Sequence, residues 1–294
     1  MVNSQNKSYK TEMHSNDITI IQFPVPSQVQ VAADWLANHQ HENLALESAL
    51  TLFLERRIPP QTSPEFMAIA YTSSTGRLAQ DSIRGIVMAQ PGNALIALES
   101  SDRLTAEHLF TLTQPQGCPR KIETSSQVKH WLRPILLQHY SLEREHDSLV
   151  MVCTQVPSGG AGRWALPQDK SALQAYAEAY RAECGTGSLN QNWDDLIQQK
   201  RVAVLEHQKQ IVAVVKRGST IQHAIVVGIF TFPQFRRQGF ARRLLAFFIQ
   251  AMLEEYFYPS VKLWVDNDNF KAMALYESLG FRQIGACYAG YFSS

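Results

Sequence analysis

The apolar run Ala224–Phe232, AIVVGIFTF, has no polar alternation. A strand of that kind is covered on both faces, as in a sheet with helices packed against it. The chain continues PQFRRQGFARRLLAFFIQAMLEEY, where Leu244, Leu245, Phe248 and Met252 recur at helical spacing. SVKLWVD, Ser260–Asp266, then reads as another strand. Strand, helix, strand in that order is the building unit of an α/β sheet.

The elements around this unit extend the pattern. Pro167 and Asp169 introduce a helix with Leu173, Tyr176, Tyr180 and Cys184 on one face. RVAVLEH and IVAVVKRG form a hairpin turning at Gln208-Lys209. Asn269 caps the helix FKAMALYESL, and Gly280 stands where a left-handed C-cap belongs. FRQIGACYAGYF closes the chain as a strand or strand pair.

The first half repeats the order. Ile18–Phe23 alternates as a strand, and Ser27 caps a helix carrying Val31, Ala32, Trp35 and Leu36. HENLALESALTLFLERR is a second helix, stopped by Pro59 and Pro60. Strands EFMAIAYT, SIRGIVMA and ALIALES follow, then helices TAEHLFTL and SQVKHWLRPILLQHY, the latter bent at Pro134, then strand SLVMVCTQV. Gly117–Lys121 reads as a basic surface loop, and PSGGAG, Pro157–Gly162, as a linker. The expected organisation is a loosely ordered tail over 1–17, one domain over 18–156 and another over 163–294. The fold class is α/β, with a mixed sheet of α+β type in each of two tandem halves.

Composition narrows the partners. Lys+Arg is 27 and Asp+Glu 26, so no broad field draws the chain to nucleic acid. No apolar run is long enough to span a bilayer and the amino terminus is polar. The expectation is a cytoplasmic protein with no membrane or nucleic-acid partner and an oligomeric state that sequence does not reveal. Cys118, Cys153, Cys184 and Cys287 lack metal spacing, and no HExxH occurs. No metal is expected, and the cysteines read as buried free thiols.

Positive charge is instead local. Arg236, Arg237, Arg242 and Arg243 surround Gly239 at the mouth of the helix that follows the buried strand. The first N–H groups of a helix lack intrahelical partners, and its dipole is positive there. A loop at that end can wrap amides around an anion, with arginine forks suited to phosphate oxygens. The competing reading is a solvated basic face. Neither GxxxxGK[ST] nor GxGxxG is present.

Arg236-Arg237-Gln238-Gly239-Phe240-Ala241, preceded by Thr231 and Pro233, resembles the R-x-x-G-x-A acyl-CoA signature of the GNAT N-acetyltransferase superfamily. Asn269-Phe270-Lys271-Ala272-Met273-Ala274-Leu275-Tyr276, with Leu279-Gly280-Phe281, resembles that superfamily's N-x-x-A-x-x-L-Y-x-x-L-G-F segment. The resemblance covers roughly 162–292. It implies two tandem GNAT-like acyl-CoA N-acyltransferase domains, the first degenerate because SDRLTAEHLF after ALIALES carries no signature.

The resemblance further implies acetyl-CoA as co-substrate, lying where the strand before the signature parts from its neighbour. Backbone of Ile229, Phe230 and Thr231 would hold the pantetheine arm and polarise the thioester carbonyl. Amides from Arg237 through Gln238, Gly239, Phe240 and Ala241 to Arg242, beside Arg236, would hold the pyrophosphate. Asn269 and Ala272 belong to the same cofactor-binding set. Tyr276 matches the general acid, protonating the departing sulfur. For the base, His223 at the start of the central strand is the candidate, with Glu206 and His207 at the end of a neighbouring strand. A water chain, or an amine that arrives neutral, is the alternative. The implied reaction is acetyl transfer to a primary amine, a small molecule or amino acid favoured, by direct attack in a ternary complex. A peptide or protein terminus as acceptor, and a non-catalytic acyl-CoA sensor or scaffold, are the competing readings.

Overall fold

Caps and tight turns set the limits of the elements, beginning with α1 (Pro26–Asn38), which opens on the proline its first turn tolerates. The structure is a computed structural model and describes residues 18–38, 43–55, 63–72, 77–184, 189–218, 220 and 222–294. The tail read over 1–17 and the stop at Pro59 and Pro60 lie outside the described residues.

Along the chain, β1 (Ile18–Gln22) and α1 lead to α2 (Leu44–Leu54), β2 (Phe66–Thr72), β3 (Ile83–Ala89) and β4 (Ile96–Ser100). Then come α3 (Arg103–Thr111), β5 (Lys121–Ser125), α4 (Ser126–His139) and β6 (Ser141–Cys153). The second half holds β7 (Arg163–Trp164), α5 (Lys170–Cys184), α6 (Trp193–Gln198), β8 (Val202–His207) and β9 (Gln210–Gly218). It continues through β10 (Ala224–Thr231), α7 (Phe240–Gln250), a π-helical turn (Ala251–Glu255), β11 (Val261–Asp266) and α8 (Phe270–Glu277) to β12 (Arg282–Ser293).

Two compact units result. One comprises Met1–Val150 with Ile284–Ser294, and the other Met151–Gln283. Most of β12, sequence-read with the second domain, thus counts with the first unit by compactness.

In the first unit the strands run β1-β2-β3-β4-β5-β12-β6. β4 and β5 are parallel, through Ile96↔Ile122 to Leu98↔Thr124, while β5 and β12 are antiparallel. Both faces of this sheet are covered. Ala68, Ala70, Val87, Ala89, Ile96 and Leu98 pack with Leu109, Phe110 and Leu132 of α3 and α4. Met67, Ile69, Ile86, Met88 and Ala97 pack with Trp35, Leu36, Leu46 and Leu50 of α1 and α2. That is why these strands read as nearly unbroken apolar runs. β5, KIETS, was not foreseen: its polar sequence hides a strand held between two partners.

In the second unit the order is β11-β10-β9-β8-β7. β8 and β9 turn at Gln208 and Lys209, both at positive φ (49° and 62°), a two-residue hairpin turn. One face meets α5 and α6 through Leu173, Tyr176, Trp193, Val202, Val204, Val214 and Phe230. Leu244, Leu245, Phe248 and Ile249 of α7 and Met252 of the π-helical turn are buried, in line with the helical spacing of the sequence. Each such side chain contributes about 2 kcal/mol through the surface it removes from water.

PSGGAG is no free linker. It lies within the second unit and is strapped to α7, with the Ala161 N–H donating to the Arg243 carbonyl at 2.9 Å. A Cβ at Gly160 would stand 2.8 Å from the Phe247 nitrogen, so only glycine permits that approach to the helix backbone. The cysteines are free thiols, but only Cys153 is buried; Cys118 and Cys287 are half-buried and Cys184 is exposed. Among the described residues, no helix is long and apolar enough to cross a membrane.

Candidate active site

β10 and β11 begin as a parallel pair at Ala224↔Val261 and Ile225↔Lys262. Their ladder ends there, although β10 runs on to Thr231 and β11 to Asp266. The strands part, leaving the later backbone of β10 unpaired on that side. On its other edge β10 stays bonded to β9, with a bulge between Val227 and Phe230.

The bulge is built by Gly228 and Tyr176. Gly228 has φ +59°, in the left-handed region, and its carbonyl accepts a 2.7 Å hydrogen bond from the Tyr176 hydroxyl. A Cβ there would fall 2.4 Å from that oxygen. The bulge shifts the pleat so that Ile229, Phe230 and Thr231 follow at the parting of the strands. Burial pushes the Tyr176 phenol well above the ordinary tyrosine range, so it is a permanent donor.

Beyond Thr231, the loop Pro233–Phe235 makes one 3₁₀ turn before α7. Arg237 (φ 65°) and Gly239 (φ 79°) both adopt left-handed backbone. This conformation turns successive amides in one direction, an arrangement suited to anions. Gly239 is the N-cap and supplies no side-chain cap. The first helical bond runs from the Arg243 N–H to the Gly239 carbonyl, so the amides of Phe240, Ala241 and Arg242 precede it. A Cβ at Gly239 would meet nothing within 4 Å. Glycine is thus needed for its φ rather than for a close contact, and the cradle is open.

The arginines divide. Arg236 donates from Nε to the Thr231 carbonyl at 2.9 Å and pairs with Glu183 at 2.6 Å, its guanidinium over the Phe230 ring. It ties the loop to β10 and α5. Arg242 reaches the carbonyls of Ser158 and Ser278, each at 3.4 Å. Arg237, Gln238 and Arg243 are exposed around the helix mouth.

The residues present fit an acyl-CoA. The open cradle suits a pyrophosphate, the parted strands an extended polar arm, and Thr231 Oγ1 is buried with no hydrogen-bond partner in the structure. The first unit offers a contrast. Its corresponding strand–helix junction ends in Asp102, whose carboxylate accepts from the Thr105 N–H (2.9 Å) and hydroxyl (2.8 Å). An aspartate side chain thus already caps the mouth of α3, whereas Gly239 supplies no side-chain cap to α7.

Asn269 caps α8, accepting from the Ala272 N–H at 3.2 Å, which places both at the helix start. Tyr276 is buried, its ring edge-on to Phe281 at 5.8 Å. Burial, and then Tyr180, push its hydroxyl well above the usual range, so it carries its proton at any physiological pH. Tyr180 in turn lies 6.1 Å from Phe230.

The base candidates fare differently. His223 is not brought to the parting of the strands. It precedes β10, six residues before Ile229, about 20 Å along an extended strand. There its Nδ1 shares a 2.8 Å hydrogen bond with Ser260 Oγ and its backbone bonds Thr220. Glu206 pairs with Arg163 at 3.1 Å, and the His207 ring lies against Phe240 at 5.1 Å. Sequence reasoning missed Tyr176 and Gly228. An isolated glycine inside an apolar strand was the available sign of a bulge. It also missed Lys216, the charge that interrupts IVAVVKRG. Among the described residues there is no group of acidic, histidine or cysteine side chains that could hold a metal ion.

Residues 175–291 match a family model described as GNAT acetyltransferase. No curated protein sequence matches the chain. Among solved structures, a GNAT-family acetyltransferase from Colwellia psychrerythraea is 14% identical, with 93% of this chain and 99% of that one covered at a TM-score of 0.60. A GCN5-related N-acetyltransferase from Sphaerobacter thermophilus is 15% identical (92% and 94% covered, TM-score 0.56). A Drosophila protein is 13% identical (94% and 99% covered, TM-score 0.61). At such identities these structures speak for the fold alone, and they do so across both units.

Proposed function

We propose that the second unit, which holds most of the stretch (residues 175–291) matching the GNAT acetyltransferase family model, transfers an acetyl group from acetyl-CoA to the primary amine of a small molecule or amino acid. The observation that carries this reading is the pairing of two features on one strand. β10 parts from β11, and the loop leaving β10 ends in the uncapped, left-handed Gly239 at the mouth of α7.

Each group then has a task. Amides from Arg237 to Arg242 receive the pyrophosphate of acetyl-CoA, with Arg237 and Arg243 adding charge and Arg236 holding the loop. Backbone donors at Ile229–Thr231, aimed by the Gly228 bulge, meet the thioester carbonyl. Its oxygen gains charge as the amine attacks, so fixed donors stabilise the transition state more than the ground state. The amine's nitrogen bonds the carbonyl carbon, the carbon–sulfur bond breaks, and the Tyr276 hydroxyl gives the sulfur its proton. The first unit binds no acyl-CoA, since Asp102 closes its helix mouth.

The test is release of CoA thiol from acetyl-CoA in the presence of a panel of amines, amino acids and short peptides. Transfer to free amines or amino acids in preference to peptides supports the reading. Acetyl-CoA binding with no transfer to any of them would make the chain a sensor instead.

A further inference from the structure

The proposed reaction needs a proton acceptor, and the sequence candidate sits at the wrong end of β10. The bulge has another neighbour. Lys216 of β9 is in register with Val227. It shares the sheet face of Val214, which packs with Tyr176, Trp193 and Phe230. Its Cε lies 3.2 Å from where a Cβ of Gly228 would be, so the end of the side chain is under the bulge itself.

The surroundings of its nitrogen are unusual for a lysine. Nζ donates to Gln191 Oε1 at 2.9 Å and stands 5.8 Å from the centre of the Tyr176 ring. Among the described residues no carboxylate pairs with it. The titratable groups facing it from α5 are Tyr176, whose hydroxyl is committed to Gly228, and Tyr180 beyond. Gln191 faces it from the segment before α6, and β8 and β10 contribute Val202, Val227 and Gly228. A charge here has neither a counter-ion nor full hydration. Burial brings its pKa down to about 8, so a usable fraction is neutral near neutral pH.

We propose that Lys216 is the general base of the transfer, an inference that rests on the acetyltransferase reading above. Its neutral Nζ takes a proton from the acceptor's ammonium. The freed lone pair forms the new carbon–nitrogen bond, the carbon–sulfur bond breaks, and the sulfur takes the Tyr276 proton. Lys216 and solvent remove the two protons the nitrogen has shed. Tyr276 recovers one proton, and one is released overall. Gln191 holds Nζ in place and, being neutral, does not lock it in the charged form.

The test compares two acceptors with acetyl-CoA: ethylamine, protonated at neutral pH, and hydroxylamine, already neutral there. Rates of CoA release above the enzyme-free rate are measured for the wild type, Lys216→Met and Lys216→Arg. Acetyl-CoA affinity, measured by calorimetry on the same samples, confirms that each variant is folded. The expected result is acetyl-CoA affinity within about twofold of wild type and loss of ethylamine transfer by about 100-fold or more in both variants. Hydroxylamine transfer should change only a few-fold. Equal losses with the two amines would make Lys216 a positioning group and overturn the proposal. No loss with either would remove it from the reaction. A wild type that binds acetyl-CoA but acetylates neither amine removes amine transfer itself, and the role of Lys216 with it.

Discussion

The Tyr176 hydroxyl donates to the Gly228 carbonyl at 2.7 Å, joining α5 to the bulge of β10. This bond ties the helix to the strand segment that leads into Ile229–Thr231, so it links packing to the site. Tyr176→Phe should cost about 1–2 kcal/mol, the price of an unpaired buried carbonyl. Gly228→Ala should cost more, about 2–4 kcal/mol, because a left-handed φ and a clash with Tyr176 combine. Urea denaturation followed by tryptophan fluorescence measures both. A Gly228→Ala variant as stable as wild type would contradict the bulge geometry.

Gly239 behaves differently from Gly228. Nothing stands within 4 Å of a Cβ there, so Gly239→Ala meets only the left-handed backbone penalty, about 1 kcal/mol. Acetyl-CoA affinity should fall more clearly than stability, since relaxation of that φ redirects the amides of the cradle. A thermal melt beside a calorimetric titration separates the two effects. Unchanged affinity would move the pyrophosphate elsewhere.

Tyr276 is buried and protonated at rest, as an acid for a departing thiolate must be. Tyr276→Phe should lower turnover by about 100-fold or more and leave the acetyl-CoA dissociation constant nearly unchanged. Pre-steady-state release of CoA is the readout. Full turnover in the variant would take Tyr276 out of the mechanism.

The first unit carries its own pH signature in Glu99. Burial raises this carboxyl from 4.5 to about 7, against the lowering effect of hydrogen bonds from Ser125, Ser100 and Asn43. Ser125 Oγ donates to its Oε1 at 2.8 Å, while Oε2 is buried with no partner. The folded pKa exceeds the unfolded one, so the folded state binds the extra proton. Stability is therefore full below about pH 4.5, declines as pH rises and is lost through about pH 7. The loss amounts to about 3 kcal/mol, at 1.36 kcal/mol per pKa unit. Glu99→Gln should flatten that decline and make the chain more stable above pH 7. Thermal unfolding across pH 4–8 measures it, and a variant with an unchanged pH slope would assign the dependence to other groups.

Much of the site was written in local sequence. Gly239 among arginines, the apolar run of β10, and Asn269 and Gly280 bounding α8 are local signals, and each reappears in the structure as read. What local sequence could not supply came from tertiary partners. KIETS becomes β5 because β4 and β12 flank it, not because its residues favour a strand. Arg236 looks like its neighbours until Glu183 and the Thr231 carbonyl claim its guanidinium. Lys216 looks like a hairpin surface charge until Tyr176, Gln191 and Gly228 close around it. His223 lies just before the paired start of β10, bonded to Ser260, and strand rise sets it about 20 Å from Ile229.

The central claim is that one unit binds acetyl-CoA and the other does not. Calorimetric titration of acetyl-CoA into the purified chain tests it most directly, with stoichiometry as the result. The account predicts one site per chain, lost or weakened in Gly239→Ala and unaffected by Asp102→Ala. Two sites would contradict the closed helix mouth at Asp102, and no binding would contradict the open one at Gly239.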